Sequence, residues 1–138
     1  VKSSTRDIFI NCPFDDAFTV SFQALVFAVI GCGFRARCAR EMDDAAETRI
    51  EKLYRIIEES RYSLHDLSRT ELDPVNHLPR FNMPLELGVF LGAKRYGDED
   101  QRQQRCAILD IEQYRFKGSY WIWLVWISRR TEVTPARW

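Results

Sequence analysis

A chain of 138 residues in which twenty basic side chains balance twenty acidic ones is sized for one domain with its own core. It has no global charge to draw it to nucleic acid or to an anionic membrane. Cys12, Cys32, Cys38 and Cys106 form no C-x-x-C pair, which argues against a zinc ribbon or thioredoxin-type motif and fits reduced thiols packed in a cytosolic fold rather than a metal site. The longest apolar run, residues 120–127, is far shorter than the ~20 residues that span a bilayer, and no signal-peptide pattern opens the chain. The expectation is a soluble cytoplasmic domain with neither a membrane partner nor direct nucleic-acid binding.

In chain order, Asp7-Ile8-Phe9-Ile10-Asn11-Cys12-Pro13 is an apolar, β-favouring run that stops at a proline, the pattern of a strand buried on both faces. Residues 18–30 are mostly apolar and are followed by Gly31 and Gly33, so a buried helix crosses back over the sheet. Phe34, Ala36 and Cys38 alternate with Arg35 and Arg37, which predicts an edge strand over 34–39 with one wet face. A polar connection containing Glu41, Asp43 and Asp44 leads to an amphipathic helix, where Ile50, Leu53, Ile56 and Ile57 recur opposite Arg49, Glu51, Lys52 and Glu58. Residues 62–68 read as a third strand, and Pro74 and Pro79 break the loop after it. A helix then starts at Pro84, packs closely through Gly88 and Gly92, and ends at Gly97. A charged link over 98–105 precedes a fourth strand over 106–111.

Four βα units in succession predict an α/β fold with helices on both faces of a parallel sheet, in the flavodoxin-like order 2-1-3-4. Ligands in such sheets bind outside the C-terminal ends of the strands. Asn11 to Asp16, Arg40 to Asp44, Asp66 to Arg69 and Asn82 to Glu86 all fall at that rim. Glu86 is the acid of the last helix start and the candidate catalytic residue. With Met83 as cap it closes a capping box; in a partly apolar cleft a glutamate instead serves as nucleophile or oxocarbenium stabiliser in breaking a glycosidic bond. Asn11, Pro13, Phe14, Asp15, Glu41, Asp66, Arg69, Asn82 and Met83 are the candidate substrate-binding residues around it. Asp66 suits a ribose hydroxyl or, equally, backbone amides at a strand end. Asn11 with Asp15 and Asp16 reads a base or sugar, or simply starts a helix. His65 alternates with Asp66 and belongs to the core or behind the site. Arg61, Arg69 and Arg80 suit phosphates or open solvent. Neither G-x-x-x-x-G-K-[ST] nor G-x-G-x-x-G occurs, which argues against a P-loop ATPase or an ordinary dinucleotide-binding dehydrogenase.

Asp7-Ile8-Phe9-Ile10-Asn11, the helix over 50–57, Ser60-Arg61-Tyr62-Ser63 and the strand over 64–68 resemble, in their order, a Toll/interleukin-1 receptor (TIR) domain, over about residues 7–111. Met83-Pro84-Leu85-Glu86-Leu87-Gly88 is similar to the glutamate-bearing helix of enzymatic TIR domains and to the E-L-G helix of nucleoside 2-deoxyribosyltransferases. Bacterial TIR-like proteins with N-C-P-F-D near the start and R-F-N-M-P-x-E-L-G before the last helix are also similar, as Asn11 to Asp15 and Arg80 to Gly88 stand here. The resemblance implies that Glu86 attacks or stabilises C1′ of a ribosyl group, with NAD⁺ or a deoxynucleoside as substrate and no cofactor. It further implies self-association and a place in bacterial defence. The alternative is a non-catalytic nucleotide-sensing or assembly module of the same fold.

All four tryptophans lie between Trp121 and Trp138, an abrupt change from a chain that had used none. The similar proteins lead one to expect a short helix and a fifth strand here, with two aspartates five residues apart. The last base of a tryptophan codon and the first two of an isoleucine codon spell aspartate, so Trp121-Ile122 and Trp126-Ile127 supply that pair in another frame. The expectation is a domain over 1–117 and an atypical hydrophobic tail over 118–138, frameshifted or else a genuine hydrophobic strand or partner-binding tail.

Overall fold

The computed structural model describes residues 4–41, 47–69, 71–73, 77–78 and 80–111. Strands β1 (Ser4–Asn11), β2 (Arg35–Arg37), β3 (Ser60–Asp66) and β4 (Arg105–Leu109) form one sheet in the order β2-β1-β3-β4. Every neighbouring pair is parallel, as the alternation of elements predicts. The fifth strand and the tail expected after residue 111 lie outside the described residues.

Alternation along β1 splits the core into two layers. Phe9 packs with Leu53, Ile56 and Ile57 of α2 (Arg49–Glu59) and Phe90 of α3 (Asn82–Tyr96). Ile10 and Cys12 face the other way, onto Phe18 and onto Val29 of α1 (Thr19–Gly31). A strand with both faces covered has no polar side, which is why this run reads as continuously apolar. Thr48 and Glu51 close a reciprocal capping box that fixes where α2 begins.

The expected edge position of β2 is observed, and its polar face is wet at Arg35, which is exposed, but covered at Arg37. Asp7, fully buried on β1, accepts from Arg35 Nε and Nη2 at 2.7 and 2.6 Å and from Arg37 Nη1 at 3.0 Å. Arg37 also donates to Glu41 and Glu59, and its side chain is only 12% exposed. Burial alone would push the Asp7 carboxyl up, yet the guanidiniums of Arg35 and Arg37 hold it below the usual carboxylate range.

Element ends differ from the sequence reading for local reasons. β3 stops at Asp66 rather than Ser68 because the Asp66 carboxylate takes both the N–H and the hydroxyl of Ser68, turning the chain out of the sheet. The link over 98–105 contains a short helix, α4 (Glu99–Arg102), started by an Asp98/Gln101 capping box. After it Gln104, fully buried, donates from Nε2 to the carbonyls of Ile57 and Ser60 at 2.7 and 2.9 Å, fastening the end of α2 to the start of β4. Helix α3 begins two residues before Pro84, with Phe81 as N-cap and no capping side chain. Pro84 therefore sits third in the helix, still within the turn whose N–H groups need no partner.

Candidate functional site

The start of α3 decides what Glu86 can do. Leu85 N donates to Phe81 O at 2.8 Å as the first helical bond, so Glu86 is the fifth helical residue and closes no capping box. It stands four residues after Asn82 and three after Met83, spacings that put all three side chains on one helix face. That face borders a cleft of about 390 Å³. Cys12, Pro13 and Phe14 from the end of β1 form another wall, and Arg49, the first residue of α2, lines it too. Asp73, Leu78, Arg80 and Phe81 contribute the side that precedes α3.

Among the described residues the Glu86 carboxylate has no hydrogen-bond partner and no ion pair, although it is half-buried. Burial pushes its pKa up to about 7, with Arg49 near enough to pull the other way. The neighbouring Cys12 thiol is pushed up to about 12, mainly by burial, so it is no thiolate nucleophile at neutral pH. Arg49 likewise has no hydrogen bond or ion pair to a described residue. By contrast Arg35, Arg37, Arg55, Arg69 and Arg80 all hold carboxylates. The cleft thus brings together an uncommitted acid, an uncommitted guanidinium and the exposed amide side chain of Asn82.

Five of the residues expected at the site line this cleft: Glu86, Asn82, Met83, Pro13 and Phe14. Asp15 sits beside it as an ion-pair hub, accepting from Arg69 Nη1 at 2.7 and 2.8 Å and Arg80 Nη1 at 2.7 Å while capping Phe18 N at 2.9 Å. The Arg80 hydrogen bond is the main reason its carboxyl lies below the usual range. Arg69 is consumed in that hub. Glu41 faces the Arg37 network instead, accepting from Arg37 Nε at 2.7 Å and from Cys38 N at 3.1 Å. Asp66 serves Ser68, the backbone-amide alternative, and is buried. Nor do Asn11 and Asp66 converge: Asn11 pairs in register with His65, so Asp66 points to the opposite sheet face. Asn11 itself is buried behind the cleft wall.

Sequence reasoning did not name Cys12, Arg49, Asp73, Leu78 or Phe81 as site residues, and left Arg80 between a phosphate holder and a solvated side chain. Periodicity assigned Arg49 to the solvent face of α2; the T-x-x-E box just before it carried the missed signal, since it puts Arg49 at a helix start, the end that faces ligands in such sheets. The loop residues had no comparable mark. A second concavity of about 460 Å³ lies at the far end of α3 among Leu91, Lys94, Arg95 and Arg102. There Lys94 is spent on the carbonyls of Arg102 and Gln104. Among the described residues no cluster of His, Cys, Asp and Glu could hold a metal ion, and no helix is long and apolar enough to cross a membrane.

Comparison of the sequence with protein-family models and with curated proteins gives no match.

Proposed function

We propose that this chain is a TIR-like or nucleoside 2-deoxyribosyltransferase-like domain that binds a nucleotide or nucleoside and cleaves its N-glycosidic bond, acting in the bacterial cytoplasm as part of a defence system. The observation that carries this reading is the Glu86 carboxylate, half-buried in an open cleft and bound to no described residue. A carboxylate costs several kcal/mol to desolvate without a partner, a cost tolerated where the group works. In the reaction Glu86 Oε approaches C1′ as the C1′–N bond breaks, and the base departs with the bonding electron pair. The carboxylate either bonds to C1′ or shields the oxocarbenium ion. Water then completes hydrolysis, or a second base completes transfer. Asn82 offers an amide to the sugar hydroxyls, Phe14 an apolar surface to the base, and Arg49 a cation to a phosphate on the substrate. With NAD⁺ the leaving group is neutral nicotinamide, and no cofactor is required.

The test is incubation of folded protein with NAD⁺ and with deoxynucleosides, following release of nicotinamide or free base. Wild type releases one of them, and Glu86→Gln is slower by a factor on the order of a hundred or more. Absence of release from either class by folded wild type would sink the reading.

One observation favours the alternative, a non-catalytic assembly module. Helix α1, expected to be largely buried, has no charged residue and buries only Val29, while its Val20, Phe27 and Ile30 are 76%, 80% and 60% exposed within the described residues. Such a surface favours self-association. A Phe27→Asp variant that stays monomeric at concentrations where wild type sediments as an oligomer supports this reading.

A further inference from the structure

We propose that Asn11, with His65 behind it, is a positioning residue that sets the first turn of α3 and thereby the place of the Glu86 carboxylate in the cleft; this rests on the role given to Glu86 above. The side chain of Asn11 is buried at the end of β1 and does not line the cleft. Its Nδ2 lies 2.8 Å from Met83 O and 2.9 Å from His65 Nδ1. A carbonyl only accepts, so the amide nitrogen and not the oxygen must face Met83, and its second N–H is left for His65. His65 Nδ1 is then an acceptor, and the ring proton sits on Nε2, which donates to Ser63 Oγ at 2.9 Å. The ring is fully buried, edge-on to Phe9 and Phe90, and burial keeps it neutral, pushing its pKa down to about 3. Protonated, it would set N–H against N–H and turn the Asn11 amide away. Each member thus has one orientation.

What the amide holds is the point of the arrangement. Met83 is the second residue of a helix with no capping side chain, and first turns without caps fray. A carbonyl has two lone pairs, so Met83 O accepts from Asn11 without giving up its helical bond. The strand end therefore tethers the first turn of α3 through one of that turn's carbonyls, while the turn's N–H groups stay unpaired by any capping side chain. Glu86 lies one turn further along the same face.

The experiment compares Asn11→Leu, His65→Leu and His65→Asn in the full chain. An asparagine at 65 puts an amide oxygen about where Nδ1 stood, restoring the acceptor, whereas leucine packs better against Phe9 and Phe90 but accepts nothing. A purely structural role ranks His65→Leu at or above His65→Asn in every measurement. Positioning separates the measurements. Thermal stability keeps that order, while carbon-13 carboxyl titration reverses it. Glu86 in His65→Asn stays near its wild-type titration, and in both leucine variants moves by about one pH unit or more toward the ordinary glutamate range. Where wild type releases base, kcat in the leucine variants falls roughly tenfold to a hundredfold with KM little changed, and His65→Asn recovers most of it. The proposal is overturned if folded leucine variants titrate Glu86 as wild type does, or if titration follows stability across the three. Wild type inactive on every substrate, with the titration order as expected, removes the glycosidic reading and supports the positioning of Glu86 by Asn11 and His65.

Discussion

At the scale of single residues, Glu86 is where the proposed chemistry and the cost of folding meet. Its pKa is raised to about 7 chiefly by burial, so it binds its proton more tightly folded than unfolded. As a nucleophile or ion stabiliser it must be ionised, so the rate of base release rises with pH through about 7 and is flat above it. A group required in its acid form gives the reverse profile, and the pH dependence of kcat/KM distinguishes them. Asn82, Met83 and Glu86 were legible in the sequence because Pro84 marks a helix start and the spacing from residue 82 to 86 is one turn. The helix begins two residues earlier than proline alone suggests, and its first turn is touched by Asn11 of β1, a contact between residues 72 apart that no local pattern records. Glu41, Asp66 and Arg69 stand at the expected rim but spend their charges on neighbours. Position at a strand end is written in the sequence, whereas which groups are left unpaired is settled by packing.

At the scale of elements, the joint between α3, α4 and β4 is built from backbone groups with no slack. Gly97 ends α3 with an extended backbone, and a Cβ there would collide with Gln101 Oε1 and Ala93 O. The first contact is a movable side chain that also closes the α4 capping box; the second is helical backbone that cannot yield. Gly97→Ala is expected to cost on the order of 2 kcal/mol, through strain and a lost cap. Gln104→Ala, which strips the carbonyls of Ile57 and Ser60 of a buried donor, costs about as much. Urea denaturation reads both. Gly97 was marked in the sequence as the end of α3, as observed, whereas Gln104 was not: the segment over 98–105 reads as a charged link, although D-x-x-Q was there to mark α4. The strands were easier, because an apolar run in β1 and an alternating one in β2 are the direct imprint of two covered faces and one sheet edge. Only the ion pairs that close over Arg37 made the outer face of β2 drier than alternation suggested.

At the scale of the whole molecule, two buried titratable groups set opposing pH dependences. His65 has a folded pKa of about 3 against an ordinary 6.5, so from pH 6.5 down to 3 the unfolded chain holds the extra proton and stability falls with pH. Glu86 does the opposite, since from an ordinary 4.5 up to about 7 the folded chain holds the extra proton and stability falls as pH rises. Between pH 4.5 and 6.5 one proton on each side cancels. These two groups therefore give a Tm nearly flat across that window and falling below it, where Asp7 adds its own loss as acid protonates a carboxylate held low by its arginines. In Glu86→Gln the opposing slope is gone, so Tm climbs with pH from 4.5 to 6.5. At pH 8 the variant exceeds wild type by on the order of 2 kcal/mol, allowing for solvent in the cleft. Calorimetry across pH checks both. The hub at Asp15 has a consequence for motion. One carboxylate joins the loop after β1, Arg69 after β3 and Arg80 before α3, so three stretches of chain are moored at a single point. Their motions are coupled through it, and a visiting anion that outbids Asp15 for its arginines would loosen all three at once.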